Sequence, residues 1–364
     1  MKTGLVIYGS LDIVTGGFLY DRMLVEHLRS NGAAVEIFPL PWRHYGAHLL
    51  DNTSSRLIRT LADADVDVLL QDELNHPSLF LVNRRLKRQS KRPVVSIVHH
   101  LRSCELRPNW QNALYRLVET SYLSTADGFI FNSETTRSTV EHLIGPRAAS
   151  IVAYPGRDRV RPQIGADEVR HRAERSGPLR VLFVGRLIPR KELHTLLTAL
   201  ALLPNDQVCL DVVGSLTTDP SYAADIRRRI DRLHLTDRVR LLGTLSSPDL
   251  EKQYAESHVL AVPSSYEGFG IVYLEGMGFG LPAIASTAGA AHEIITHGRD
   301  GFLVKPGDAE ALAQCIRQVT ADREKLVQMG VNTLDRYARH PTWTESCEKI
   351  ARFLTEVVNT YRLR

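Results

Sequence analysis

Short apolar, often β-branched runs punctuate this chain, and between them lie longer stretches in which apolar residues recur at helical spacing. In the first half the short runs fall at residues 5–8, 34–38, 66–70, 94–98, 128–131 and 150–153. In the second they fall at 180–184, 209–213, 239–241, 258–262, 283–285 and 301–304. Amphipathic stretches such as 18–29, 78–88 and 110–124 lie between them. Strands alternating with helices predict an α/β protein built on parallel sheets. A polar, charged segment, 157–178, holds no strand-like run and divides the two series. The pattern predicts a doubly wound, Rossmann-like domain over 1–165, a linker over 166–178 and a second such domain over 179–342. The amphipathic stretch 343–364 is expected to form a C-terminal helix crossing back onto the first domain. In this architecture the domains face a central cleft, with ligands at the carboxyl ends of the strands.

Length and composition narrow the class. At 364 residues the chain is too long for one ordinary core, and 43% apolar with 24% charged residues is the balance of a water-soluble globular protein. The apolar run near the start is too short for a signal-peptide core and breaks at Gly9. No window approaches the roughly 20 apolar residues of a membrane span. Cys104, Cys209, Cys315 and Cys347 are widely separated, without Cys-x-x-Cys spacing. Neither a disulfide framework nor a zinc site is expected, and a reducing cytoplasm is the expected location. A net charge of +4 does not argue for nucleic acid.

The densest chemical signal runs from Ser264 and Ser265 through Glu267, Gly268, Phe269 and Gly270 to Glu275, ending at Gly280-Leu281-Pro282. Two carboxylates flank a glycine-rich entry to an apolar run, Ile271 to Leu274, that reads as the start of a helix. Glycines let the backbone approach a ligand closely, and the first free N–H groups of a helix suit a phosphate. Carboxylates on either side can accept hydrogen bonds from sugar and ribose hydroxyls. Arg186 follows the run 180–184, and Lys191 lies five positions on. Two cations at a strand's carboxyl end can hold a diphosphate, the arginine as a fork and the lysine as a point charge. The Asp-x-Asp pairs of Asp63, Asp65 and Asp67 precede a strand, at the end away from that chemistry. No metal is therefore expected there.

Together these elements resemble the retaining glycosyltransferases of family 4, the glycosyl transferases group 1, with the GT-B fold. The resemblance rests on Gly185-Arg186-Leu187 with Lys191, Val212-Val213-Gly214, Leu242-Gly243, the Glu267 and Glu275 pair, and His292-Glu293 ahead of Gly298 and Gly301. In the first half it rests on Thr15-Gly16-Gly17, His99 and Asn132-Ser133-Glu134. It implies that Glu267 positions the donor sugar and Glu275 the ribose, while amides around Gly268, Phe269 and Gly270 meet the phosphates. Gly16 and Gly17 would form the floor under sugar and diphosphate, and the strand-end histidine, His99 or else His100, would contact the sugar. Asp72, Glu73 and His76 form a second strand-end group, suited to the acceptor or to capping the helix that follows. Two departures stand out. Glu192 follows Lys191 where many members have glycine, and Gly276 and Gly278 stand in a helix where alanine is commoner.

The resemblance implies transfer of a sugar from a nucleoside-diphosphate sugar to a hydroxyl acceptor, with retention and without metal or other cofactor. A nucleotide-sugar epimerase of the same fold and a non-catalytic carbohydrate-binding protein are the competing readings. Arg84, Arg85, Lys87, Arg88, Lys91 and Arg92 crowd one short segment beside an apolar run. That segment suits peripheral contact with an anionic inner-membrane face, and many family members use lipid-linked acceptors.

Overall fold

The computed structural model describes residues 1–363 apart from 14, 147 and 161. The chain divides into two compact units, Met1–Gly156 with Pro341–Arg364, and Arg157–His340.

The first unit is a six-stranded parallel sheet in the order β2-β1-β3-β4-β5-β6. Its strands are β1 (Lys2–Tyr8), β2 (Ala34–Leu40), β3 (Val68–Asp72), β4 (Val94–Val98), β5 (Gly128–Phe131) and β6 (Ala149–Val152). Helices α1 (Gly16–Ser30), α2 (Tyr45–Leu49), α3 (Ser55–Asp63), α4 (His76–Gln89), α5 (Asn109–Leu123) and α6 (Glu134–Ile144) alternate with them. Every residue of β3, β4 and β5 is buried, as expected of central parallel strands covered on both faces. The edge strand β2 is half exposed. Thr15 starts α1 by accepting a hydrogen bond from the Phe18 amide (3.3 Å), and Ser133 does the same for α6. Gly16 and Gly17 thus open the helix rather than precede it.

The second unit has the order β12-β11-β10-β7-β8-β9, again all parallel. Its strands are β7 (Leu179–Val184), β8 (Val208–Val213), β9 (Val239–Gly243), β10 (Val259–Val262), β11 (Ala283–Ser286) and β12 (Gly301–Val304). Its helices are α7 (Ala166–Glu174), α8 (Leu193–Ala201), α9 (Pro220–Arg232), α10 (Ser247–Glu256), α11 (Ile271–Gly278), α12 (Ala309–Ala321) and α13 (Arg323–Ala338). The final helix, α14 (Trp343–Arg362), returns to the first unit. It begins with a capping box between Thr342 and Glu345 and buries Ile350, Leu354 and Val358. Lys349 donates to the Val152 carbonyl at the end of β6 (2.7 Å).

The expected linker over 166–178 needs correction. Most of it is helix α7, and the units change at Gly156 rather than at 165. Charge misled the pattern, because only Val169 and Ala173 offer apolar surface to the unit. The helix is instead held by buried Arg172, whose guanidinium donates to the carbonyls of Phe279 and Gly280 (both 2.9 Å) and of Ala255 (3.2 Å). Burial pulls the Arg172 pKa down to about 10.

Each sheet reverses its winding once, at β1/β3 in the first and β7/β10 in the second. A doubly wound sheet has its natural binding crevice at the carboxyl ends of those strands.

Candidate active site

At the second unit's switch point two loops meet. The loop after β7 passes through Gly185, exposed Arg186 and buried Leu187 into a single 3-10 turn, Pro189–Lys191. The loop after β10 carries Ser264, Ser265 and Glu267. The Ser265 amide donates to the Arg190 carbonyl (2.8 Å), and the Arg190 guanidinium donates to the Tyr266 carbonyl (2.6 Å). Across this junction Lys191 Nζ donates to Glu267 Oε2 at 2.5 Å. The Ser264 hydroxyl donates to the same oxygen at 3.1 Å, and Arg190 Nη1 lies 3.8 Å from it. The Glu267 backbone is itself fixed, because its carbonyl accepts from Ala290 N (2.9 Å) on the loop after β11. Burial pulls the Lys191 pKa down; Glu267 opposes that, while the charges of Arg190 and Arg186 reinforce it. Three cations and one carboxylate therefore converge on the crevice, an arrangement fit for a diphosphate beside a hydroxylated sugar.

Helix α11 starts from the same loop. Gly270, at φ +97°, makes the left-handed turn into it, and as the N-cap residue it has no side chain to cap the first N–H groups. Gly268, Phe269 and Gly270 are all buried, and the Phe269 ring packs 5.7 Å from that of His340, so only their backbone is suited to contact a ligand. The unexpected glycines of α11 have a packing reason. A Cβ on Gly276 would lie 2.9 Å from Leu260 of β10, and one on Gly278 2.9 Å from Pro162 and Tyr337. Glu275 is 2% exposed. It accepts from the Tyr254 hydroxyl (2.9 Å) and forms an ion pair with Arg159.

Glu192 explains its own departure from the family. It stands at φ +51°, the left-handed region glycine favours. Its carboxylate accepts from Thr195 Oγ1 (2.8 Å) and from the Gly307 amide (2.9 Å).

The first unit gathers a different chemistry at its own switch point. His99 follows β4 and lies against Gly17, where a Cβ would stand 3.0 Å from the ring. His99 Nε2 is 3.3 Å from Asp21 Oδ1, and its ring meets Tyr20 edge-on at 5.2 Å. His100 turns instead to Glu105 (3.0 Å), so His99 is the histidine grouped with the glycines. Asp72 accepts from Leu74 N (2.9 Å) and caps the turn leading into α4. Glu73 and His76 are buried; His76 Nδ1 donates to the Glu73 carbonyl (3.0 Å), leaving Nε2 to accept from the Tyr45 hydroxyl (3.0 Å).

Burial governs the charges here. It pushes Glu73 up to about 8, and with the charge of Asp21 it pushes Asp72 up to about 7. Burial also brings His76 down to about 4. His99 is raised, because its hydrogen bond to Asp21 and the surrounding carboxylates outweigh burial. By distance alone two trios among the described residues could hold a cation, Asp21 with Asp72 and His99, and Glu73 with His76 and Glu119, each set within 4.8 Å. The Asp-x-Asp residues serve elsewhere, since Asp67 accepts from Lys2 N (2.7 Å) and Asp65 and Asp67 pair with Lys2 and Arg362.

Sequence reasoning missed Asp21, Arg190, Arg159 and Tyr254. Asp21 left a trace, one turn beyond Gly17 on the apolar face of α1. Arg190 stood beside Lys191. Arg159 and Tyr254 reach Glu275 only through tertiary packing and left none.

The basic run is partly used by the fold. Arg85 donates to the Asn52 carbonyl (3.3 Å), Lys87 to Asp127 (2.7 Å), Arg92 to the Ala62 carbonyl (2.8 Å) and Arg84 to Ser121 Oγ (3.0 Å). Arg88 and Lys91 remain exposed. Among the described residues no helix is long and apolar enough to cross a membrane.

Comparison with known proteins supplies the context. Residues 166–336 match the family model described as glycosyl transferases group 1, and residues 11–156 one described as glycosyl transferase 4-like domain. The chain is 28% identical over 312 residues to a GDP-mannose-dependent alpha-(1-6)-phosphatidylinositol monomannoside mannosyltransferase of Mycobacterium tuberculosis, covering 82% of this chain and 78% of that protein. It is 29% identical over 257 residues to a D-inositol 3-phosphate glycosyltransferase of Streptomyces avermitilis, covering 68% and 55%. In fold it is similar to a sucrose-phosphate synthase of Thermosynechococcus elongatus, with a TM-score of 0.81 at 22% identity over 99% of this chain and 100% of that one. It is also similar to Anabaena HepE, solved with UDP and glucose, with a TM-score of 0.75 at 22% identity over 98% and 100%.

Proposed function

This chain belongs to the glycosyl transferases group 1 family and is a glycosyltransferase of GT-B fold, and from that premise we propose a retaining, metal-independent transfer from a nucleoside-diphosphate sugar to a lipid-linked hydroxyl acceptor. One observation carries the proposal. Lys191, Arg190 and Arg186 converge with Glu267 and the glycine-led start of α11 at the β7/β10 switch point.

The reaction separates charge. As the bond from the anomeric carbon to the diphosphate oxygen breaks, positive charge grows on the sugar and negative charge on the leaving group. The three cations and the α11 amides are already in place to stabilise the latter, with no reorganisation at the moment of reaction. Glu267, held by Lys191 and Ser264, positions the donor sugar through its hydroxyls. Glu275 is assigned to the ribose, and Gly16, Gly17 and His99 to the sugar, as the family resemblance implies. The acceptor hydroxyl forms the new bond on the face the diphosphate leaves, and its proton passes to a phosphate oxygen. Configuration is retained without an enzyme nucleophile, unlike the paired-carboxylate glycosidases. Protein cations neutralise the diphosphate, so no metal is needed for that role.

Support for the acceptor comes from the relatives named for phosphatidylinositol mannosides. Because the cations address the diphosphate, they are compatible with either guanosine or uridine donors. Arg88 and Lys91 are suited to an anionic membrane surface at the cytoplasmic face. A plain carbohydrate-binding protein would have no use for three cations at a sugar site. Thermal stabilisation by GDP or UDP, donor turnover undiminished in EDTA and a product with the donor's anomeric configuration are expected. An inverted product or loss of turnover in EDTA would overturn the reading.

A further inference from the structure

Helix α5 carries an apolar ridge on its outer face. Trp110, Leu114 and Leu117 are 64, 57 and 69% exposed, and Leu106 just ahead of the helix is 73% exposed. Positions 110, 114 and 117 follow the i, i+4, i+7 spacing that places side chains on one face. Exposed Ala113 lies beside them. Such spacing ordinarily buries a helix against a core, but the buried residues of α5 are Glu119, Tyr122 and Leu123. The ridge is therefore surplus to the packing of the unit. Continuing the same face by four more residues reaches Ser121, and there Arg84 of α4 donates its hydrogen bond. Arg88 lies one turn further along α4 and is exposed, as is Arg116 on α5.

We propose that this ridge, bordered by Arg84, Arg88 and Arg116, is a docking surface that inserts into the headgroup boundary of an anionic lipid bilayer. The proposal deepens the membrane reading above and rests on it, but moves the contact from the basic run to α5. Charge and dimension select the occupant. The ridge from Trp110 to Leu117 is about 10 Å long at the helical rise. A stable protein interface buries roughly 1,200–2,000 Å² in total, which one short ridge does not supply. A two-fold copy of this face would also tend to bring like charges together, whereas anionic headgroups complement them. Trp110, with an apolar ring and a polar N–H, suits the boundary between headgroups and acyl chains. Once the ridge inserts, a lipid-linked acceptor is held at the same surface.

The test is co-sedimentation of the full chain with phosphatidylcholine vesicles, with and without phosphatidylglycerol. Binding to the anionic vesicles is expected, weakened at least about tenfold by Leu114→Glu with Leu117→Glu, since two leucines leave the apolar phase. Trp110 emission should shift to the blue on binding, with the change lost in Trp110→Phe. Tm and far-UV dichroism should stay at wild-type values, because these side chains are exposed. Leu106→Glu, outside the helix, serves as an independent variant. No vesicle binding overturns the proposal, as does a concentration-dependent dimer abolished by the leucine changes. Binding lost in Arg88→Gln with Lys91→Gln but indifferent to Leu114 and Leu117 keeps the membrane reading and removes the ridge. Nucleoside diphosphate stabilisation, measured in parallel, tests the donor reading separately.

Discussion

Lys191 and Glu267 are separated by 76 positions in sequence, yet their side chains meet at 2.5 Å where the loops after β7 and β10 cross. The pair sits between Arg190 and Ser264, so its geometry is held from both sides. Lys191→Ala should lower kcat/KM for the donor by about 10²–10³, the usual loss when one preorganised stabiliser of a leaving group is removed. Glu267→Gln keeps the shape and the Ser264 bond but drops the charge, so it should reduce turnover while leaving nucleoside diphosphate affinity close to wild type. Steady-state donor kinetics beside thermal shifts with GDP and UDP would separate the two effects. Wild-type turnover in Lys191→Ala would sink the assignment.

Glu275 depends on two partners that the sequence did not announce. Its buried carboxylate is satisfied by Arg159 and Tyr254. Glu275 is buried while the Arg159 side chain is 34% exposed, so solvent screens part of the pair and Arg159→Ala should destabilise the second unit by about 2–4 kcal/mol, less than a fully buried pair would lose. Tyr254→Phe deletes one hydrogen bond to the same group and should cost about 1–3 kcal/mol. Urea unfolding of both variants checks the order. Equal effects would mean that the ion pair is not what holds Glu275.

The contrast between these two carboxylates shows where the sequence was legible. All the strands expected from short apolar runs are present, because central parallel strands must be apolar on both faces and the pattern reports that directly. Glu267, Arg186 and Lys191 were legible because the residues assigned to the donor sugar and its diphosphate lie in two short loops, each with a local sequence pattern. Arg159 and Arg172 were not, because both belong to the polar stretch that reads as a linker. Their partners are a distant carboxylate and distant carbonyls, contacts that only the folded chain creates. The basic run likewise showed its charge but not that Lys87, Arg85 and Arg92 serve Asp127 and backbone carbonyls.

Glu192 is a place where a local rule is broken and offset nearby. A side chain at φ +51° is disfavoured by about 1–2 kcal/mol relative to the right-handed region. The bonds from Thr195 and the Gly307 amide oppose that strain. Glu192→Ala keeps the strain and loses both bonds, so a destabilisation of about 1–3 kcal/mol is expected. Glu192→Gly loses the bonds but releases the strain, and should be milder by about 1 kcal/mol. Paired denaturation curves decide it, and a glycine variant less stable than the alanine variant would contradict the account.

The buried acids of the first unit make a prediction about pH. Burial raises Glu73 from 4.5 to about 8, so near pH 7 the folded protein holds a proton there that the unfolded chain has released. A carboxyl with a raised folded pKa contributes stability that is fully present below its unfolded pKa and is lost as pH rises through the folded one. The window for Glu73 is therefore about pH 4.5 to 8, with a slope of up to about 1.4 kcal/mol per pH unit for the one proton. His76 acts in the opposite direction at the acid end. Its pKa is lowered from 6.5 to about 4, so stability falls as pH drops through that interval and the unfolded chain takes up the proton first. Glu73→Gln mimics the protonated carboxyl and removes only the first dependence. The variant should match wild type near pH 5, gain on it steadily up to pH 8, and keep the acid-side loss due to His76. Urea midpoints for both proteins across pH 5 to 9 read the difference directly. Parallel curves would show that Glu73 is ionised in the folded state and that its burial is compensated in another way.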